Sequence, residues 1–262
     1  MTDRRTTLSA LTRCYDDLEA LITDLGHEEW ATPSLCPDWT VQGVVTHLAG
    51  VEDLLTGWLP AAADEPPPFQ KMGSFVAAVA DLSGPELAER TREILARRSE
   101  DLAGLTDDDM ARPGMTPVGP GTYGRFMNVR VFDFWVHQRD ITLPLGRPTD
   151  DSGSAAEIAL DEVHQSMGYI VGKKIGLPDG MSIRFDLDGG ISRQIAVAVE
   201  GRAGLVDTLD APSVTVQADT TTFIMLACGR IDPQAQIDAG RISWTGNDEW
   251  GDQAARNLRF TM

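Results

Sequence analysis

The apolar residues of this chain follow one spacing before about residue 145 and a different spacing after Pro148. In the first part they recur every three to four positions, as on the buried face of an α-helix. In the second part apolar and polar residues alternate in short runs bounded by turn residues, for example from Gln194 to Glu200. Alternation of this kind is typical of antiparallel strands with one covered face. The chain is therefore expected to form a helical domain followed by an α+β domain.

The first part predicts four helices, which span roughly residues 7–25, 40–59, 85–105 and 123–141. Four helices of this length most simply form a bundle, in which inward side chains of facing helices build metal and cofactor sites. We predict a four-helix bundle over residues 1–148 and a small α+β domain with an antiparallel sheet over residues 149–262. The connections over residues 60–84 and 107–122 are rich in proline and glycine, and they are predicted as irregular segments beside the pocket.

Two of the predicted helices carry polar groups on a face that should be buried. On the second helix, His47 lies on the same stripe as Val44 and Val51. On the fourth, Asp133 and His137 are spaced i, i+4 and point the same way from consecutive turns. A buried carboxylate needs a partner, and a divalent cation shared by all three residues would supply one. A hydrogen-bonded core pair is the alternative that the spacing leaves open.

Composition narrows the classes of partner. Hydrophobic residues at 42% and charged residues at 24% are typical of a globular protein, and the formal charge of −18 repels nucleic acid and anionic membrane surfaces. The three cysteines, Cys14, Cys36 and Cys228, form no Cys-x-x-Cys pair and suit a reducing compartment. No long apolar segment or signal peptide is recognised. A cytoplasmic protein is expected, with the cysteines serving as small buried side chains.

Trp30 and the runs from Leu35 to Gly50 and from Phe132 to Ile141 resemble the mycothiol-dependent maleylpyruvate isomerase family of actinobacteria. That family belongs to the DinB-like four-helix-bundle superfamily. The runs from Leu226 to Pro233 and from Gly240 to Gly246 resemble the sterol-carrier-protein-like α+β domain that often follows the bundle there. The resemblance covers nearly the whole chain.

The resemblance implies that His47, Asp133 and His137 bind zinc or another divalent metal, with aspartate where the better-known isomerases have glutamate. It implies mycothiol as the thiol cofactor. It also implies that an arginine of the second domain reaches the metal pocket as a catalytic residue, and Arg241 is the first candidate, followed by Arg230.

Two further residues on the fourth helix are expected to support the site. Asp140 lies on the metal-facing stripe, where it could orient a ligand imidazole. Arg130, one turn before Asp133, is expected to form a structural ion pair with an acid.

The predicted function is that of a metal-dependent enzyme, a monomer or homodimer, that acts on a small electrophile with a thiol. A metal lowers the pKa of a bound thiol, and the thiolate could add to a double bond, permit rotation and leave, which is cis–trans isomerisation. The same thiolate could displace a leaving group, which would make the protein a mycothiol S-transferase. Two other classes stay open: a non-catalytic protein whose sheet domain holds an apolar ligand, and a regulatory protein such as a metal-bundle anti-sigma factor.

Overall fold

The computed structural model describes residues 3–260 and divides into two compact units, Met1–Thr149 and Asp150–Met262. Each unit is described by itself below. Among the described residues, no helix combines the length and the apolar character that a membrane span requires.

The described part of the first unit contains six α-helices and a hairpin of two short strands. They are α1 (Arg4–Thr23), α2 (Val41–Leu55), α3 (Met72–Val79), α4 (Gly84–Ala103), α5 (Asp107–Ala111), β1 (Pro113–Thr116), β2 (Gly119–Thr122) and α6 (Tyr123–Thr142). The long helices α1, α2, α4 and α6 form a bundle in which α1 and α2 each pack against both α4 and α6. The predicted four-helix fold is therefore confirmed.

Local sequence explains where the two helices that carry the candidate site begin. The Thr40 side chain accepts a hydrogen bond from the backbone N–H of Gly43 and caps α2. The Thr122 side chain does the same for the N–H of Arg125 at the start of α6. Threonine is a favoured N-cap because its oxygen satisfies a backbone donor that has no partner inside the helix.

The two segments predicted as irregular contain regular structure. Helix α3 lies within residues 60–84, and α5 with the β1–β2 hairpin lies within residues 107–122. Helix α3 packs against α2. Its close approach depends on Gly50, because a Cβ atom there would lie 2.7 Å from both Met72 Sδ and Phe75 Cδ1.

The second unit combines helices with a five-stranded sheet. Its elements are α7 (Gly153–Tyr169), which continues into a π-helical turn (Ile170–Ile175), β3 (Ser182–Asp188), β4 (Arg193–Glu200), β5 (Arg202–Val206), β6 (Val214–Asp219), α8 (Thr220–Ala227), α9 (Pro233–Asp238), β7 (Ile242–Gly246) and α10 (Asp248–Asn257). This arrangement confirms the predicted α+β class.

The sheet has the strand order β5-β4-β3-β6-β7. Three of its four pairings are antiparallel, as expected, and the pairing of β3 with β6 is parallel. Strand β3 buries Ile183, Phe185 and Leu187 on alternate positions, which is the pattern that identified it in the sequence. Strand β5 was not predicted, because Ala203 is its one fully buried side chain and the run shows little alternation.

Replacing Gly50 with alanine tests the close packing of α3 on α2. Alanine normally favours a helix, but here its methyl group would overlap Met72 and the buried ring of Phe75. We expect Gly50→Ala to lower the free energy of unfolding by about 1–3 kcal/mol in urea titrations. Gly73→Ala is the matched control, since no atom lies within 4 Å of its added methyl group. Equal stability of the two variants would contradict the packing.

Candidate metal centre

Helices α2 and α6 bring the three predicted metal ligands together. Nε2 of His47 lies 3.3 Å from Oδ2 of Asp133, and Nε2 of His137 lies 3.6 Å from Oδ1 of the same carboxylate. One donor atom from each of the three residues lies within 4.8 Å of the others. A tetrahedral zinc ion with bonds of about 2.1 Å separates its ligand atoms by about 3.4 Å, so the spacing and the nitrogen and oxygen donors suit such an ion.

A carboxylate behind His137 fixes which ring nitrogen faces the other two donors. Oδ2 of Asp140, which is fully buried, lies 2.8 Å from Nδ1 of His137. Because an ionised carboxylate only accepts hydrogen bonds, Nδ1 donates to Asp140 and Nε2 is the nitrogen that faces Asp133. Carboxylates commonly hold metal-binding imidazoles in this way. Asp140 thus has the orienting contact that its position on α6 predicted.

Arg130 anchors the carboxylate at the centre of the site. Its Nη1 donates to Oδ2 of Asp133 at 2.6 Å, and its Nε donates to Oε1 of Glu52 at 2.9 Å. Burial by itself would raise the pKa of Asp133, but the charge of Arg130, followed by the contacts of His137 and His47, outweighs it and holds that pKa well below its ordinary value. Asp133 is therefore an anion at neutral pH.

Glu52, on α2, is the centre of a buried network beneath the site. Its side chain is 0% exposed, and it accepts hydrogen bonds from the Tyr15 hydroxyl, from Nε of Arg98 and from Nε of Arg130. Arg98 also donates to the Tyr123 hydroxyl at 2.9 Å. Burial, together with the adjacent Glu52 carboxylate, raises the pKa of Tyr15 well above its usual value, so the phenol stays a donor. One carboxylate thus lies between two buried guanidinium groups.

The sequence analysis did not identify this network, although a signal for it was present. Counting along α2 places Glu52 on the stripe of Leu48 and Leu55, and counting along α4 places Arg98 on the stripe of Ile94. A charged residue on a stripe of buried side chains indicates an internal ion pair.

The loop before α2 covers the two imidazoles with an indole. The centre of the Trp39 ring lies 5.1 Å from the centre of the His47 ring and 6.0 Å from that of the His137 ring. The planes of the Trp39 and His137 rings are 22° apart. The loop is attached to α6 through the backbone N–H of Leu35, which donates to the carbonyl of Asp140 at 3.0 Å. Trp39 therefore shields one side of the candidate metal site from water.

The same loop carries a cysteine to the site. Sγ of Cys36 forms a second candidate donor group with His137 and Asp140, within 4.8 Å of their atoms. Cys14 and Cys228 are buried, as expected, whereas Cys36 is partly exposed. The sequence places Cys36 in the loop directly before the helix of His47, but it does not predict the contact with His137 and Asp140 on α6, because spacing along the chain does not encode contacts between separate elements.

A cavity opens beside His47, between α2 and α3. Its volume is about 400 Å³, and we call it the Trp39 cavity. It is lined by the indole, by polar residues of α2 and its N-cap and by apolar residues of α3 and its end: Trp39, Thr40, Gln42, Gly43, Thr46, His47, Met72, Val76, Val79 and Ala80.

The two predicted arginines belong to the second unit. Nε of Arg241, in the turn before β7, donates to Oε1 of Gln236 at 2.6 Å. Nη1 of Arg230 donates to the carbonyl of Cys228 at 3.3 Å. The role of Arg241 at the metal site stays a prediction.

Two family models match the chain. Residues 11–142 match the model described as the mycothiol maleylpyruvate isomerase N-terminal domain, and residues 157–255 match the MDMPI C-terminal domain.

Two curated proteins from strains of Mycobacterium tuberculosis, both described as uncharacterized, are 28% identical to the chain over 148 residues. Those matches cover 50% of this chain and 53% of each relative, so the chain spans about half the length of the curated relatives it matches.

Among solved structures, the chain is similar to a crystal structure of the mycothiol-dependent maleylpyruvate isomerase, with a TM-score of 0.64 and 16% sequence identity. The match covers 93% of both chains, and a histidine-to-alanine variant of that enzyme gives a TM-score of 0.62. At this identity the likeness shows the fold. A sterol carrier protein structure aligns with 38% of the chain at a TM-score of 0.28, which is too low to bear on the second unit.

Removing the charge of Glu52 is expected to destabilise the first unit strongly. Glu52→Gln leaves the buried guanidinium groups of Arg98 and Arg130 with too little compensating charge. We expect the free energy of unfolding to fall by about 3–5 kcal/mol in urea titrations. Glu89→Gln is the control, since it removes a carboxylate from an exposed pair with Arg92, and such pairs contribute little. A similar small loss in both variants would show that the buried network is not stabilising.

The three cysteines are expected to differ in how readily their thiols react with an alkylating agent. Burial, assisted by the charge of Asp17, raises the pKa of Cys14 to about 12, so its thiol stays protonated at neutral and mildly alkaline pH. At pH 8, iodoacetamide should modify Cys36 in the native protein and reach Cys14 and Cys228 only after unfolding in urea. Peptide mass spectrometry would locate the label, and Cys36→Ser should remove it. Rapid modification of Cys14 in the native protein would show that its thiol is not buried.

Proposed function

The chain belongs to the mycothiol maleylpyruvate isomerase family, and from that premise we propose that it is a metal-dependent enzyme that uses mycothiol on a small electrophile. The observation that carries the proposal is the convergence of His47, Asp133 and His137 from two helices. Three protein donors leave one position of a tetrahedral ion open, as in catalytic sites. A cytoplasmic location is part of the proposal.

The residues of the chain supply the geometry of the site. Both imidazoles present Nε2 towards Asp133, and the hydrogen bond between Asp140 and Nδ1 fixes the orientation of the His137 ring. Arg130 binds Oδ2 of Asp133 and so sets the direction of a side chain that is shorter than the glutamate of better-known family members. A divalent cation and mycothiol, when bound, would supply a nucleophilic thiolate at neutral pH.

Trp39 and Arg241 are proposed to act on the bound molecules. Trp39 covers the imidazoles and keeps water from that side of the centre. Arg241 is proposed to bind an anionic group of the substrate or thiol. Its hydrogen bond to Gln236 fixes one edge of the guanidinium group.

A non-catalytic role in binding an apolar ligand receives less support from the second unit. A cavity of about 580 Å³ lies there between α7 and β5, and its lining includes Lys173, Asp179 and Arg202. Charged groups on a cavity wall disfavour an apolar ligand, because that ligand would remove them from water without pairing them.

Metal content is the direct test of the proposal. Elemental analysis of the purified protein should give about one zinc or similar divalent ion per chain, as expected for a site with three protein ligands. His47→Ala should lose the metal, and His27→Ala, a substitution in an exposed loop, should retain it.

A second variant tests the orienting carboxylate. Asp140→Asn should weaken zinc binding by about 10- to 100-fold in competition with a chromophoric chelator. If no variant and no wild-type sample takes up metal after incubation with zinc, the proposed function is wrong.

A further inference from the structure

The Trp39 cavity is mainly apolar where it adjoins the candidate metal ligands. Met72, Val76, Val79 and Ala80 contribute its α3 side, and the Trp39 indole contributes another wall. Val76 is 45% exposed and Trp39 is 36% exposed, although both are large hydrophobic side chains. A ligand in the cavity would cover these surfaces. Concave apolar sites with few polar groups are typical of small-molecule pockets.

Apart from His47, the polar residues of the cavity wall have no ionisable side chain, and two of them already have hydrogen-bond partners. Gln42 donates its side-chain amide to the carbonyl of Leu82 at 3.0 Å, and Thr40 caps α2. None of the described residues that line this cavity is a lysine or an arginine. Arg130 does not line the cavity, and its Nε and Nη1 atoms donate to Glu52 and Asp133. Apart from a cation held at His47, this wall therefore offers no group that could balance the charge of a carboxylate.

The negative charge of the whole chain also disfavours an anionic ligand in this cavity. A formal charge of −18 makes the long-range field unfavourable to a dianion. Removing two carboxylates from water against an apolar wall is unfavourable unless each finds a cation or several hydrogen-bond donors. An apolar molecule meets neither obstacle, and it gains from covering Val76 and Trp39.

We propose that the electrophile accepted beside His47 is a neutral, apolar molecule, such as an aryl or alkyl electrophile, and not a compact dicarboxylate. The proposal rests on the proposed function, because thiol chemistry defines the electrophile. With an aryl halide the reaction is S-transfer. The thiol sulfur bonds to the ring carbon, the carbon–halogen bond breaks, halide leaves with the electron pair and the thiol proton passes to solvent.

Binding without catalysis provides the first test. Isothermal titration of the full chain would compare 2,4-dinitrotoluene, an unreactive aryl compound, with maleate. We expect maleate to bind at least about tenfold more weakly, because a cation at His47 could pair with one of its carboxylates and the cavity wall offers no partner for the other. Trp39→Phe should weaken the binding of dinitrotoluene. Equal or tighter binding of maleate overturns the proposal.

A charge added at the cavity rim provides the second test. Val76→Lys places a cation at an exposed position of α3 and should tighten maleate binding by about tenfold while weakening dinitrotoluene binding. Val118→Lys is the matched control, since Val118 is an exposed valine that is absent from the cavity lining. If the two lysine variants behave alike, the cavity does not select the ligand and the proposal is wrong.

Turnover separates this proposal from the proposed function. Zinc-loaded protein with mycothiol would be assayed with 1-chloro-2,4-dinitrobenzene and with maleylpyruvate. Thiol consumption by the aryl halide with a higher kcat/KM supports the proposal. Preference for maleylpyruvate, lost in Arg241→Ala, would overturn it and leave the proposed function standing. Absence of metal and of turnover with either compound would overturn the proposed function, and the titrations would still decide which ligand the cavity binds.

Discussion

The buried carboxylate of Glu52 is the interaction on which the first unit depends. Arg98 and Arg130 place two guanidinium groups inside the bundle, and Glu52 lies between them with no exposed surface. Without that carboxylate both cations would be buried with too little compensating charge, which is among the most costly arrangements in a protein interior. Arg130 also binds Asp133, so the residue that stabilises the core directs the central carboxylate of the candidate metal site. Core stability and site geometry are therefore coupled in this unit.

Two environments meet at His47. On the α6 side lie Asp133, His137 and Asp140, a set of anionic and imidazole groups suited to a cation. On the α3 side lies the apolar wall that contains Val76. A metal and a thiol could bind on the charged α6 side, and the body of an electrophile could bind against the apolar α3 side. This division agrees with the principle that a fold positions a site while the local side chains decide what the site accepts.

The likeness to a maleylpyruvate isomerase structure at 16% identity shows that the fold is kept although most residues differ. The backbone geometry that directs α2 and α6 towards one another is set by apolar packing along the helices, which tolerates exchange among hydrophobic residues of similar size. Val76, on the cavity wall, is under no such packing constraint, because its side chain is exposed. Substrate preference could therefore diverge while the metal ligands stay in place.

The sequence by itself determined the class of each half, because the helical period and the strand alternation report burial on one face. It also placed His47, Asp133 and His137 on inward faces, since positions along a helix fix direction. It missed α3, α5, the β1–β2 hairpin and β5, which are short and bury few residues, and it missed the parallel pairing of β3 with β6. Only the tertiary structure decided that Arg130 joins Glu52 to Asp133, and that Trp39 and Cys36 come from a loop to the imidazoles. The physical reason is that these contacts join different elements of the chain, and no local spacing encodes the distance between them.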